Sequence, residues 1–375
     1  MKYFQLIVCA VAALSISAEQ EVPAGNKSLR NELNLAIQRG ADFLVKNQQA
    51  DGHWSTADQP ALSALALVAL KGKEPGGAEA ESLRKGYEFL LKNVKPDGSI
   101  HGGKGLVNYN TSLGLLALAA AKDDRYREQI LRARHYLIGT QIDMGEAGVL
   151  DTPFDGGVGY GSRYEHSDMA NTVEALEALY YTKQYAKDSP NKEDLNWKAA
   201  IHFLQNCQNL SAFNKQAWVS DDPQYKGGFV YYPGSSMAGE TNINGRVALR
   251  SYGSISYAGL LSYIYAELKK DDPRVQAVFK WLQKNFTLDE NPGMGPAGLY
   301  YYLHTMSKAL SAYGVDQLPT EKGEVNWKEK LALRLLDLQR PDGSWQNDTA
   351  RWMEKDPALV TAYGMISLEI IARAL

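Results

Sequence analysis

A helical pattern of eight residues recurs six times along this chain of 375 residues. In every copy the fourth residue is Gly or Ala, the fifth is Leu or Met, the seventh is Ala or Ser, and the eighth is Leu or Tyr. Close packing penalises any change of side-chain volume, so this regularity indicates one packing environment that the fold uses six times. The copies begin at Ser63, Thr111, Thr172, Ser256, Met306 and Thr361.

A second kind of helix precedes each copy. Its apolar residues follow a single stripe, as Leu33, Ile37 and Ala41 do, whereas the repeated helices are apolar nearly all round. Turns that contain glycine, such as Asp51-Gly52, end these preceding helices. Their predicted starts are near Leu29, Ala80, Tyr126, Leu195, Pro273 and Asn326.

Two kinds of helix in strict alternation predict two concentric layers. Helices that are apolar all round must be buried on both sides, so they form the inner layer. Six outer–inner pairs predict an all-α fold, an (α/α)6 barrel or toroid that forms a single domain over residues 29–375. An open solenoid is the alternative, and the count of six pairs favours closure.

Two of the turns carry a longer motif. Gln48-Gln-Ala-Asp-Gly-His-Trp54 and Gln339-Arg-Pro-Asp-Gly-Ser-Trp345 resemble the Gln–Trp repeats of squalene and terpene cyclases. Protein prenyltransferase β-subunits and complement thioester domains share the toroid of that family. The resemblance covers about residues 28–375 and implies that Gln and Trp tie each turn to a neighbouring helix. It also implies an isoprenoid or another lipid in the central cavity.

The variable positions of the repeat identify that central cavity, the lumen. At about 100° per residue, positions one, four, five and eight share one side of the helix, and the variable positions two, three and six lie opposite. We expect the variable side to line the lumen and to supply the candidate site residues. The candidate catalytic side chains are Glu174, His304 and Asp168, and the candidate substrate-binding side chains are His166, Arg250, Tyr257, Tyr300, Lys308 and Tyr363.

Several of these candidates carry charge. Glu174 and Lys308 both occupy position three, so they should lie at similar depth. Unpaired buried charges cost several kcal/mol, so such groups must pair or be hydrated. An ion-pair plug, a solvated channel end and a working polar pocket are the three alternatives. The resemblance places the reactive centre near the starts of the inner helices, where the sequence puts His166, Arg250, Tyr300 and His304.

The motifs that define the chemistry of the resembling enzymes are missing. The chain has no Asp-x-Asp-Asp pattern for alkene protonation. Glu174 or Asp168 could replace it, but Glu174 would need a raised pKa and no Lys308 nearby. Cys207 falls on an outer helix, so the zinc cysteine of a prenyltransferase is absent from the lumen. We expect no cofactor and no metal. The alternative is a zinc ion held by His166, Asp168 and His304.

Three functions stay open. The first is an exported toroid that binds or transforms an isoprenoid or another lipid, with or without catalysis. The second is a non-catalytic module that holds an envelope protein or another envelope component, with the long segment 221–250 covering the mouth of the barrel. The third is a polysaccharide-active barrel, in which Glu174, Glu177 and Glu240 act beside tyrosine rings.

Composition and the first residues limit the partners and the location. Forty Lys and Arg against 43 Asp and Glu give a net charge of −3, which predicts no nucleic-acid partner. Residues 1–18 are typical of a signal peptide, with Lys2 before an apolar run from Phe4 to Leu14. That run is too short to span a bilayer and no later stretch suffices, so we expect no transmembrane anchor. We expect a linker at 19–28 and export to the periplasm or the medium.

Overall fold

The computed structural model describes residues 24–72, 75–103, 105–161, 166–187 and 192–375. The predicted signal peptide lies outside these residues. The α-helices are α1 (Ala24–Lys46), α2 (Pro60–Leu70), α3 (Gly77–Lys92), α4 (Val107–Ala120), α5 (Arg127–Ile138), α6 (Met169–Tyr181), α7 (Lys183–Ala186), α8 (Trp197–Asn206), α9 (Gly253–Tyr265), α10 (Pro273–Lys284), α11 (Leu299–Tyr313), α12 (Trp327–Leu338) and α13 (Pro357–Ala374). Two antiparallel hairpins pair β1 (Glu240–Ile243) with β2 (Arg246–Leu249) and β3 (Gln317–Thr320) with β4 (Gly323–Asn326).

The repeated helices form a closed inner ring. Helices α2, α4, α6, α9, α11 and α13 each pack against the next, and α13 packs back against α2. The helices α1, α3, α5, α8, α10 and α12 form the outer layer, and each contacts an inner helix. The predicted (α/α)6 toroid is therefore confirmed, and the open solenoid is wrong.

The outer helices begin close to their predicted starts. Five of them start within three residues of the predicted position. The exception is α1, which begins at Ala24, so residues 24–28 of the predicted linker are helical. The prediction began at Leu29 because the apolar stripe starts there, and the residues before it carry no apolar signal.

Position one of the repeat is explained by a hydrogen bond. In five copies it is Ser or Thr, and its hydroxyl accepts from the backbone N–H of the preceding turn. The Trp345 N–H, for example, donates to Thr361 Oγ1 at 3.1 Å. Position four is small because the same turn residue packs there, and a Cβ on Gly364 would lie 2.9 Å from the Trp345 ring. Position one thus fastens five of the six turns to their inner helices.

The turn glycines bring neighbouring outer helices together. Gly52 and Gly343 have φ of +99° and +88°, values that L side chains rarely adopt. A Cβ on Gly52 would lie 2.3 Å from the Lys85 carbonyl oxygen, and one on Gly343 would lie 2.3 Å from that of Arg39. Because Gly343 follows the last outer helix and Arg39 belongs to the first, this contact closes the outer layer.

The Gln–Trp motifs have the structural role that the resemblance implies. The Gln48 amide donates to the carbonyls of Gly52 and Ser82, and the Gln339 amide donates to those of Gly343 and Ala36. The indole of Trp345, which is fully buried, donates to the Leu335 carbonyl at 2.8 Å. Two further glutamines, Gln141 and Gln208, bridge their turns to the next outer helix region in the same way.

The long segment 221–250 contains the β1–β2 hairpin, which the sequence did not predict. Its turn residues Asn244 and Gly245 have φ of +52° and +82°, typical of a type I′ turn. The hairpin determines where Arg250 lies, because that residue directly follows β2.

By length and composition, α13 is the one helix among the described residues that could cross a membrane, so the expectation that no later stretch suffices was wrong on that count. It packs between α11 and α2 in the inner ring, and 67% of its apolar window is buried. Its position in the core accounts for its composition.

Candidate ligand site in the toroid lumen

An ion pair crosses the lumen. Lys308 on α11 donates to Glu177 on α6, and these side chains are 17% and 8% exposed. Helix α9 lies between α6 and α11 in the ring, so the pair passes in front of α9. The sequence placed Glu174 level with Lys308, but the carboxylate that pairs is one turn further along α6. Relative helix heights decide this, and periodicity does not report them.

Glu174 lies beside this pair without joining it. It is 8% exposed and makes no hydrogen bond to the described residues. Burial raises the pKa of its carboxyl to about 7; the Lys308 charge opposes this rise, and the Glu177 charge adds to it. The folded protein therefore favours the neutral acid form of this carboxyl more than water does.

Aromatic rings surround Glu174. The Tyr363 ring lies 4.9 Å from that of His304 and 5.9 Å from that of Tyr301, measured between centroids. Tyr109 on α4 lies near Tyr363 on α13, across the front of α2. Burial raises the pKa of both hydroxyls, and the Glu174 charge adds to the rise. These residues define the lumen cluster: Glu174, Glu177, Lys308, His304, Tyr109, Tyr301 and Tyr363.

His304 is held neutral in this cluster. It is 5% exposed, and burial, aided by the Lys308 charge, lowers the pKa of its imidazole well below the ordinary value. Its Nδ1 is buried with no hydrogen-bond partner among the described residues. A neutral ring with an unused nitrogen can receive or donate one hydrogen bond.

Asp168 has a structural task. It is the N-cap of α6, where it accepts from the Asn171 backbone N–H at 2.9 Å and from its side-chain amide at 2.7 Å. Burial raises the pKa of its carboxyl to about 6. The His166 ring lies outside the lumen cluster, 4.4 Å from the Tyr232 ring. Both residues lie at the start of α6, as the sequence indicated.

Three predicted substrate-binding residues lie elsewhere. Arg250 is exposed in a surface cleft that also contains Trp281. Tyr257 is fully buried against Tyr302, with a ring distance of 5.6 Å. Tyr300 lies near Glu354, Arg334 and Arg340, and burial raises the pKa of its hydroxyl to about 12. The sequence analysis predicted that all three face the lumen, and that predicted face included too many residues.

Tyr301 is the cluster residue that sequence reasoning missed. It precedes Lys308 by seven residues and His304 by three, a spacing that puts the three on one side of α11. The signal was therefore in the sequence, because the same spacing leads from His304 to Lys308 and to Ser311. Choosing Tyr300 instead was an error of one residue.

Three helices also bring apolar side chains to the lumen. Val68, Leu116 and Ile366 occupy position six on α2, α4 and α13, the position at which Glu177 faces the lumen. They are partly exposed, whereas most residues of these helices are buried. The lumen thus has apolar side chains at position six of three neighbouring helices and its charged side chains on α6 and α11. Tyr109 and Tyr363 of the lumen cluster lie on α4 and α13.

The predicted metal alternative does not form. No group of three or more His, Cys, Asp or Glu side chains within the described ranges is arranged to hold a metal ion. His304 belongs to the lumen cluster, whereas the His166 ring packs at a tilt against that of Tyr232. Cys207 is the buried C-cap residue of α8, where burial raises the pKa of its thiol well above the ordinary value.

Solved structures with this architecture include enzymes of two kinds. A variant of the type II terpene cyclase MstE from Scytonema is 14% identical, over 93% of this chain and 99% of that one, with a TM-score of 0.57. Another MstE variant, in complex with geranylgeranyl dihydroxybenzoate as substrate, is 15% identical over 93% and 100%, with a TM-score of 0.55. A family 76 glycoside hydrolase from a bovine Bacteroides thetaiotaomicron strain is 14% identical over 90% and 77%, with a TM-score of 0.57.

No family model matches the chain, and no curated protein does. At this level of identity the likenesses define the fold. The chain is an α/α toroid of the kind found in type II terpene cyclases and in family 76 glycoside hydrolases.

Proposed function

We propose that the toroid lumen binds a small amphiphilic molecule of the isoprenoid or lipid class. The observation that carries this proposal is the division of the lumen wall. Partly exposed Val68, Leu116 and Ile366 offer an apolar surface to a hydrocarbon chain. Across from them, Lys308 and Glu174 offer charge and a hydrogen bond to a polar end.

The fold comparison supports the same ligand class. One MstE structure contains geranylgeranyl dihydroxybenzoate, which joins an isoprenoid chain to a hydroxylated benzoate. A ligand of that general shape suits a lumen with an apolar side and a polar side. In this chain the hydrocarbon would lie along α2, α4 and α13, and the polar end would approach α6 and α11.

The chemistry available in the lumen favours binding over cyclisation. Protonating an alkene requires a strong acid, and a carboxyl with a pKa of about 7 is a weak one. The nearby Lys308 charge also disfavours a build-up of positive charge on a substrate. Glu174 is therefore assigned to hydrogen bonding with the polar end of the ligand.

Thermal shifts with geranylgeraniol test the proposal. The wild-type chain should gain about 2 °C or more in Tm at ligand concentrations well above Kd. Leu116→Trp, which fills the apolar side of the lumen, should abolish the gain. Leu333→Trp is the matched control, because Leu333 is exposed on the outer helix α12, and it should keep the gain. A wild type that shows no shift, or a Leu116→Trp variant that shifts equally, contradicts the proposal.

Glycan hydrolysis is the second candidate. It is favoured by the raised pKa of Glu174, which leaves a protonated carboxyl one turn from the ion-paired Glu177. Glycoside hydrolysis usually requires two carboxyl groups, one protonated and one ionised. If the chain hydrolyses α-mannan or a polyuronide, Glu174→Gln must abolish the release of reducing sugar. Glu128→Gln, an exposed outer-helix control, must leave it unchanged.

Export remains our proposal for the location. It rests on the charge of Lys2, the apolar run from Phe4 to Leu14 and the small residues that follow. Mass spectrometry of the mature chain from its native host tests it, with cleavage after Ala18 as the expected result. A mature chain that retains residues 1–18 contradicts it.

A further inference from the structure

A surface cleft lies between the end of α10 and the β1–β2 hairpin, on the outside of the toroid. Its volume is about 450 Å³, within the usual range of small-molecule sites. Four segments supply its walls: the turn before Gly227, the hairpin with the residues that follow it, the end of α10, and the Pro292–Gly293 turn. The lining residues that the argument uses are Gln224, Tyr225, Thr241, Arg250, Ser251 and Trp281.

Hydrogen bonds fix the walls of this cleft. The Trp281 indole donates to the Gln224 carbonyl at 2.8 Å, and the Ser251 hydroxyl donates to the Tyr225 carbonyl at 2.8 Å. The backbone N–H of Arg250 donates to the Gly239 carbonyl at 3.0 Å, and the backbone carbonyl of Arg250 accepts from the Ser236 hydroxyl. The backbone around Arg250 is thus held in place before any ligand arrives, which lowers the entropic cost of binding.

Four polar side chains of the cleft are not used by the fold. Arg250 is the one charged residue in the lining, and its guanidinium makes no ion pair or hydrogen bond with the residues that the structure describes. The side chains of Gln224, Tyr225 and Thr241 likewise make no hydrogen bond within that part of the chain. Apolar surface is scarce, since the Trp281 side chain is only 4% exposed.

We propose that this cleft binds a carboxylated sugar, with the carboxylate on Arg250. A guanidinium presents paired N–H donors that match the two oxygens of a carboxylate, so Arg250 favours a ligand with a negative charge. The amide of Gln224 and the hydroxyls of Tyr225 and Thr241 can each donate and accept, as sugar hydroxyls require. A lipid would find little apolar surface here, so the cleft and the lumen bind different chemical classes.

Titration calorimetry with glucuronate tests the site on the full chain. Wild-type protein should bind glucuronate, and Arg250→Met should weaken that binding about tenfold or more, or about 1.4 kcal/mol. Thr241→Val, which removes one hydroxyl at constant shape, should weaken it by a smaller factor. Arg125→Met is the matched control, because Arg125 is an exposed arginine far from the cleft in sequence, and it should bind as the wild type does.

Three further probes, each lacking either the carboxylate or the sugar hydroxyls of glucuronate, distinguish a sugar-acid site from a general sugar site or a general carboxylate site. Glucose should bind less well than glucuronate, and Arg250→Met should not change its affinity. Acetate and an acetylated dipeptide should also bind less well than glucuronate, because they lack sugar hydroxyls. The proposal is overturned if the wild type does not bind glucuronate at about 10 mM, if Arg250→Met binds it equally, or if acetate or the dipeptide binds as well.

Discussion

The turns and the lumen of this toroid treat polar side chains in opposite ways. In the turns, the amides of Gln48, Gln208 and Gln339 each donate to two backbone carbonyls. In the lumen, Glu174 has no hydrogen bond to the described residues, and Nδ1 of His304 is buried without a partner. Buried polar groups are almost always paired, and the turn amides follow this rule. Their hydrogen bonds hold neighbouring parts of the ring together. The lumen keeps polar groups that folding leaves unsatisfied and that a ligand can satisfy.

The largest expected effect lies in the turns. Trp345→Ala removes a fully buried ring and its hydrogen bond to Leu335, and it should lower the free energy of unfolding by about 4–5 kcal/mol. Denaturant unfolding measures the loss. The control is Trp352→Ala, since Trp352 is 41% exposed, and its loss should be about 1 kcal/mol or less. Equal losses would show that the turn motif does not carry the stability assigned to it.

The next largest effect lies in the lumen. Lys308→Met leaves the Glu177 carboxylate, 8% exposed, without its partner, and it should cost about 3–4 kcal/mol. Adding Glu177→Gln should restore most of the loss, because the double variant buries no unpaired charge. Urea unfolding of the wild type, of both single variants and of the double variant gives the coupling between the two residues. A neutral Lys308→Met would mean that water already hydrates the pair, and the lumen would then be wetter than the contrast with the turns implies.

The turns and the ring were predictable because their sequence pattern recurs in all six repeats. Six copies of one helix show which positions tolerate no change of volume, so the ring follows from the pattern alone. Ser or Thr at position one and Gly in the turns then receive local explanations from hydrogen bonds and close backbone contacts. Each of these interactions lies within one repeat or between neighbouring repeats, which is the range that sequence periodicity reports.

The lumen was less predictable because its contacts join helices that are distant in the chain. Periodicity assigns a residue to a face with an uncertainty of about one residue, which is enough to confuse Tyr300 with Tyr301. It also cannot give the relative height of α6 and α11, on which the pairing of Lys308 with Glu177 depends. Arg250 was misplaced for another reason, since the β1–β2 hairpin turns it into the outer cleft.

The pH dependence of stability sharpens the comparison for Glu174. Its pKa rises from 4.5 to about 7 on folding, so the folded state favours the neutral acid. That preference acts fully below about pH 4.5, and its contribution disappears as pH rises through 7. Relative to Glu174→Gln, the wild type should therefore lose at most about 3 kcal/mol of unfolding free energy between pH 4.5 and 8.

Unfolding titrations of both proteins across this window measure the difference. The comparison with Glu174→Gln is needed because other groups also make stability depend on pH. Folding raises the pKa of Asp168, as it does that of Glu174, and lowers the pKa of His304. Glu128→Gln, at an exposed outer position, should match the wild type at every pH. If the curves of the wild type and Glu174→Gln stay parallel, Glu174 is hydrated in the lumen and its pKa is close to the ordinary value.

The smallest effect compares two buried hydroxyls of the inner helices, one without a partner and one that binds a turn. The Tyr257 hydroxyl, on an inner helix, is buried with no partner among the described residues, whereas the Thr172 hydroxyl accepts from the Val158 N–H at 2.9 Å. Tyr257→Phe should be neutral or should raise the free energy of unfolding by about 1 kcal/mol, because it removes an unsatisfied buried group. Thr172→Val should lower that free energy by about 1–2 kcal/mol, because it leaves a backbone N–H without an acceptor. A Tyr257→Phe variant that is clearly less stable than the wild type would reveal a water that already satisfies this hydroxyl, and the same reasoning would then apply to Nδ1 of His304.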